Sequence, residues 1–372
     1  MNRVTTLRQQ LTLVNSSYVN EESNKPLTES YLPDCLFIAL EQQANTVFNI
    51  PDFNRLFGEH SFHFMPKKRE KLDIHFGRYE YDDYYSVVDG YISGYIANKL
   101  CTLYGLKVGV TSYAKITAFT EYLIEAFNQK KSIICEYSAR CIPERVEDYQ
   151  KHYGYHIAIF RGYNLDKQTF IIDDVQKCGM EVSLEDFIHS FDDILSQEGA
   201  VNIFTLEKVE HGQQYLSSQL ALEEIQRNID GIYSNEPYVG LNAIEKFMQH
   251  ILYLPSVSGP YIVPGVWIFS LQRHSCIAWL TALQKDFPQF NIDVICQKMK
   301  QDLFVLAKKW KELEYLMILS AKSLKITGSS IYQRFEELFV LEKEIVPLWR
   351  ELQATLSGGT NILPQIGNQH DY

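Results

Sequence analysis

The spacing of apolar residues changes character twice along the chain, and the changes divide it. From Cys35 apolar positions recur at helical intervals, at Leu36, Ala39, Leu40, Ala44 and Val47, with Phe37 and Ile38 widening the face, so the pattern predicts a well-buried helix. Two more helices are predicted near 86–104 and 112–129. From residue 131 the period shortens to that of strands: 132–137, 156–163 and 169–173 read as three strands, the last two joined through Asn164-Leu165-Asp166-Lys167 as a hairpin. A helix over 183–195 and a strand over 200–209 complete this part. Beyond His211 the period is helical again, through 216–230, 239–253, 265–285, 290–318 and 329–356. The reading is α+β: a first domain over 1–210, an appended all-α domain over 211–356, and a mobile tail over 357–372 after Ser357-Gly358-Gly359. Residues 1–30 are polar and read as loop.

Composition narrows the function classes. A chain of 372 residues with 46% hydrophobic residues suits two globular domains. A net charge of -11 argues against a nucleic-acid partner, because phosphate contacts need a basic surface, and is compatible with a cationic small molecule such as an amine. No stretch approaches the roughly 20 apolar residues of a membrane span, and Met1 to Gln10 leads into no apolar run of signal-peptide length, so a cytoplasmic protein is expected. The cysteines at 35, 101, 135, 141, 178, 276 and 296 form an odd, irregular set without Cys-x-x-Cys, which fits reduced thiols rather than a disulfide framework or a zinc site. His60 and His63 lack nearby cysteines and read as loop residues rather than a metal clip, and no cofactor motif is present.

Cys35 changes the picture. Pro33 stops an extended segment, Asp34 caps, and the thiol falls in the first helical turn, where unpaired N–H groups and the helix dipole favour the reactive thiolate. His156 begins a strand elsewhere in the domain, and a carboxylate ends the next one. With a loop of 164–167, Asp173 pairs with Ala158, two positions from His156 on the same face; an odd loop would rotate Asp174 into that place, and an even loop favours Asp173. Cys35, His156 and Asp173 form a nucleophile, base and orienting acid, with the Cys35 backbone N–H facing a developing oxyanion.

These residues carry a resemblance. The Asp34-Cys35-Leu36 helix start, Tyr155 to Asn164 and Phe170-Ile171-Ile172-Asp173 resemble the papain-like N-terminal domain of the butirosin biosynthesis protein H family, a relative of C39-type cysteine peptidases. Tyr238 to Ile244, Gln272-Arg273-His274 and Trp279-Leu280 are similar to the helical region that follows it, and the likeness covers about residues 25 to 350. It implies a papain-like (C39-like) fold with a helical C-terminal domain and, as in a related enzyme of closthioamide assembly, amide synthesis in secondary-metabolite biosynthesis. An acyl group would pass from the phosphopantetheine thioester of an acyl or peptidyl carrier protein onto Cys35, then to a small-molecule amine, with His156 taking the amine proton.

The chain departs from that pattern in two places. Where papain-like enzymes place an oxyanion-hole glutamine, Thr28-Glu29-Ser30 stands, leaving Tyr31, another side chain or a backbone group as second donor. The aspartate is followed by Asp174 rather than proline. Lys67-Lys68-Arg69-Glu70-Lys71 reads as solvated surface with a carrier-docking alternative. Tyr79, Tyr81, Tyr84, Tyr85, Tyr91 and Tyr95 read as packing, with an acyl channel as the alternative, and Asp82, Asp83 and Asp89 lie beside them. The helical half carries enough apolar surface for a homodimer. Three classes therefore stand: a carrier-dependent acyltransferase, a cysteine peptidase or hydrolase, and a non-catalytic binding module.

Overall fold

The computed structural model describes residues 18–19, 35–58, 60, 63–67, 73–77, 94–145, 149–150, 155–174, 177–209, 211–233, 239–253, 266–323 and 328–360. In chain order the elements are β1 (Tyr18–Val19), α1 (Cys35–Phe48), β2 (His63–Lys67), β3 (Asp73–Gly77), α2 (Gly94–Tyr104), β4 (Leu106–Tyr113), α3 (Ile116–Asn128), β5 (Ile133–Ser138), β6 (Tyr155–Asn164), β7 (Thr169–Asp173), β8 (Met180–Ser183), α4 (Leu184–Glu198) and β9 (Val201–Lys208). Five helices follow: α5 (Ser218–Ile232), α6 (Gly240–Tyr253), α7 (Val266–Asp286), α8 (Asp293–Ser323) and α9 (Gly328–Thr360). The protein is α+β with a helical C-terminal region.

The chain groups into two compact units that interleave rather than follow one another. One holds Met1–Phe53 and Leu100–Gly212; the other holds Asn54–Lys99 and Gln213–Tyr372. The sequence placed 54–99 in the first domain, but polar bonds tie it to the helices. Arg55 donates to both Asp286 carboxylate oxygens at 2.8 Å, the Gly58 N–H donates to Glu224, and the buried Lys99 ammonium donates to Glu224 at 2.8 Å. The tail also begins later than expected, since α9 runs to Thr360.

In the first unit an open antiparallel sheet runs β4-β9-β5-β6-β7-β8, with β1 also pairing β6. Strand alternation sends Cys135, Ala158, Phe160, Ile172 and Ile203 to a core shared with Phe119 and Leu123 of α3 and Phe187 and Phe191 of α4. The opposite face meets α1, which packs on β5, β6 and β9. Helix α1 buries Leu36, Phe37, Ile38, Ala39, Leu40 and Ala44; each large side chain contributes about 1.5–3 kcal/mol by leaving water. Val47, expected on the same buried face, is instead 60% exposed. Helix α4 starts where Ser183 accepts the Asp186 N–H, a cap of about 1 kcal/mol. Strand β4 takes residues 112–113 that the helical reading assigned to α3. Gly105, at φ 66°, turns the chain out of α2 into it.

The hairpin register decides the site. The turn falls at 165–168, with the Asn164 carboxamide oxygen accepting the N–H groups of Asp166 and Lys167 at 3.1 Å. Asn164 therefore pairs with Thr169, and Gly162 with Ile171. A β-bulge between Phe160 and Gly162 then shifts the register by one, so Phe160 pairs with Ile172 and Ile159 with Asp173. That single residue turns Asp173 to the α1 face and brings Asp174 onto the face of Ala158 and His156.

Candidate active site

Tyr137 and His156 are direct cross-strand partners on β5 and β6, their ring centroids 6.0 Å apart. The Tyr137 hydroxyl donates to Asp174 Oδ2 at 2.6 Å, and His156 Nδ1 lies 3.7 Å from the same oxygen. Arg145 donates to the other oxygen, Oδ1, and its Nη2 lies 3.3 and 3.2 Å from the two nitrogens of the His156 ring. The near-equal distances put the guanidinium beside the ring rather than in line with either lone pair. Asp174, Arg145 and Tyr137 are buried, while the His156 side chain is 27% exposed. The imidazole is the part of the cluster that solvent or a substrate reaches.

Local backbone holds the pieces. Asp174 exchanges two main-chain bonds with Lys177, N to O and O to N, both 3.1 Å, which pins the strand end. Arg145 is fixed by its N–H to the Ile142 carbonyl at 3.0 Å and by the Tyr149 N–H to its own carbonyl at 2.8 Å. Burial, and then the Asp174 charge, raise the Tyr137 phenol well above its usual pKa, so it stays a proton donor to that carboxylate; Cys35 adds to the same rise. That coupling puts the Cys35 sulfur within electrostatic reach of the Tyr137 hydroxyl.

Cys35 is the first residue of α1 and is partly exposed. Four of the other thiols are in settings that suppress ionisation. Burial raises Cys135 well above the ordinary thiol value and raises Cys141 and Cys276 too; Cys296 is pushed up to about 12 by the same cause. Cys35, Cys101 and Cys178, like Cys141, are partly exposed.

The three sequence-derived residues do not all meet. Asp173 is fully buried with its carboxylate 3.3 Å from Arg161 Nη1 and accepting the Gly179 N–H at 2.7 Å, and it faces α1. Asp174 takes the place beside His156, because the even loop that favoured Asp173 is followed by the bulge at Arg161. Sequence reasoning also missed two members. Tyr137 follows from strand alternation once β5 and β6 are paired, since it stands opposite His156. Arg145 lies in a stretch without periodicity and carried no signal.

Other candidates resolve differently. His60 bonds Glu342 at 2.6 Å and accepts the Trp349 N–H at 2.9 Å, and among the described residues no group of three His, Cys, Asp or Glu is arranged to hold a metal. Tyr95 donates to Glu224 at 2.6 Å with Arg227 over its ring at 4.1 Å, which makes it a packing residue. The side chains of His63 and Lys67, the run 68–71, the remaining tyrosines of 79–91, Asp82, Asp83, Asp89 and Thr28 to Tyr31 lie outside the described residues. Among the described residues no helix is long and apolar enough to cross a membrane. Set against known proteins, the chain matches no family model and no curated protein.

Proposed function

We propose that the protein is a cysteine-dependent acyltransferase with a papain-like (C39-like) first domain, acting in the cytoplasm on an acyl group delivered by a carrier protein. Cys35 is the nucleophile, His156 the proton carrier and Asp174, in place of Asp173, the orienting acid. The observation that carries the reading is the convergence of Tyr137, His156 and Asp174 around a partly exposed imidazole, with Cys35 at a helix start within electrostatic reach of Tyr137.

The chemistry then follows in two balanced steps. His156 takes the Cys35 thiol proton and the sulfur attacks the carbonyl carbon of a phosphopantetheine thioester; the new C–S bond forms as the donor C–S bond breaks, and the departing thiolate takes that proton from His156. An amine next attacks the Cys35 acyl thioester, the C–N bond forms as the C–S bond breaks, and His156 removes the amine proton and returns it to the Cys35 sulfur. Thioester exchange is nearly isoenergetic, so the enzyme's contribution is to hold the amine close and water away. Asp174, already bound by Arg145 and Tyr137, offers His156 a fixed negative edge, which steadies the ring while the proton is on it. Tyr137, held protonated, keeps that edge aimed.

Intact-mass spectrometry tests this. Incubation with octanoyl-pantetheine should add one octanoyl group to the wild type and none to Cys35→Ala, and a primary amine should discharge it as the amide. An unlabelled wild type, or a label that survives in Cys35→Ala, would overturn the proposal. Discharge to octanoate alone with amine present would assign the site to hydrolysis.

A further inference from the structure

The far half of α1 covers a cavity of about 500 Å³ within the first unit, a size within the range of small-molecule sites, about 300–1,000 Å³. Its lining residues on α1 begin at Gln42, about 10 Å along the helix axis from Cys35 at 1.5 Å per residue, and include neither Cys35 nor His156. Three features mark it. Its walls are apolar, from Val47, Phe48, Ile133, Ile159, Phe204 and Leu206, and Val47 is 60% exposed there although the helix pattern marks it for burial. Its charged lining residues are Lys130, Lys131, a single acid, Glu207, and Arg161, which is paired with Asp173; the two lysines leave a local cationic excess on a chain of net charge -11. Its polar wall is unsatisfied: both polar atoms of the Gln42 carboxamide and the carbonyl oxygen of the Gln43 side chain are shielded from solvent and accept or donate no hydrogen bond.

Buried amide groups left without partners cost stability, and a site that retains them is matched to a partner able to supply bonds. The unused set is one amide N–H donor group and two carbonyl acceptors. A group that both donates and accepts, a secondary amide, answers it. The cationic excess answers an anion, and the walls answer a hydrocarbon chain.

We propose that this cavity is a second ligand site, for an amphiphilic anion bearing an amide, of the N-acyl amino acid class. The acyl chain lies along the Ile159 and Phe204 wall, the amide meets Gln42 and Gln43, and the carboxylate is drawn to Lys130 and Lys131. The site does not depend on chemistry at Cys35.

Isothermal titration calorimetry of the full chain with N-octanoylglycine tests it. Binding is expected, at least fivefold weaker for octanoate, which lacks the amide, and at least fivefold weaker for uncharged N-methyloctanamide. Lys131→Glu, at an exposed position, should weaken N-octanoylglycine at least fivefold. Thr46→Trp, also exposed and facing the cavity, should abolish binding with the thermal melt unchanged. Gln42→Leu should erase the preference over octanoate. Cys35→Ala should bind as the wild type does. No heat with the wild type, binding that survives Thr46→Trp, or binding lost in Cys35→Ala would overturn the proposal; the last result would assign the ligand to the Cys35 site.

Discussion

Two clusters in this protein are built from the same parts, a histidine, a carboxylate, an arginine and aromatic donors, and they differ in closure. In the helical unit, Glu342 accepts from Arg273 at 2.6 and 3.1 Å, from Trp310 at 2.7 Å and from His60 at 2.6 Å, and Trp349 closes the ring of bonds on His60 Nδ1 at 2.9 Å. His60, Arg273, Glu342, Trp310 and Trp349 are all fully buried. Because Trp349 can only donate, His60 Nδ1 is an acceptor and Nε2 carries the proton toward Glu342, so the ring is neutral and both nitrogens are used. In the sheet unit, Asp174 is equally buried and accepts from Arg145 and Tyr137, yet His156 stands 3.7 Å off and partly open. The closed network shuts its imidazole away from solvent, whereas the sheet cluster leaves an edge of its imidazole accessible.

The largest effect expected from breaking that contrast is in the closed cluster. Glu342→Gln leaves the buried Arg273 charge without its counter-ion and should cost about 3–5 kcal/mol, read as a lower midpoint in urea unfolding. Asp174→Asn should slow acylation of Cys35 roughly 100-fold or more, while Asp173→Asn, whose carboxylate serves Arg161 and Gly179, should leave the acylation rate of the folded protein within a few-fold of wild type. Equal loss in both variants would return Asp173 to the site.

Acid should then separate the clusters. Burial holds the His60 pKa below 6.5, so the unfolded chain takes that proton first and the stability it contributes, complete above pH 6.5, is lost as pH falls through the folded value. Glu342 follows at lower pH. Burial alone would raise it, but Arg273 and the bonds it accepts bring it down to about 2, so its contribution is present above pH 4.5 and lost as pH falls toward 2. Urea midpoints should therefore decline below pH 6.5, and a flat profile between pH 7.5 and 5 would show that the His60 ring is not held neutral. The smallest effect is Tyr137→Phe, about 1 kcal/mol for the lost bond to Asp174, with a measurable drop in acylation rate as the carboxylate loses its aim.

The sequence makes most of this legible where periodicity is strong. The helix at Cys35, the β6 and β7 strands and the five C-terminal helices follow from apolar spacing. Strand β4 does not, because Leu106 to Tyr113 runs directly into the apolar face of α3 and the two periods merge. The choice between Asp173 and Asp174 turns on the bulge, which the sequence signals only through the dipeptide Arg161-Gly162 ending the apolar run Ile157 to Phe160. Arg145 was beyond reach, since its role comes from a long-range meeting with Asp174 and His156 that no local pattern encodes. The interleaving of 54–99 with the helical unit is of the same kind: it rests on single polar residues, Arg55 and Lys99, finding partners far along the chain.

The central claim is that Cys35 and His156 act as a pair, and differential alkylation reads it most directly. Iodoacetamide at pH 7 with peptide mapping should label Cys35 faster than each of the six other cysteines, and His156→Ala should slow that labelling at least tenfold with the melt unchanged. Labelling of Cys35 at the pace of Cys101 and Cys178, indifferent to His156, would contradict the account.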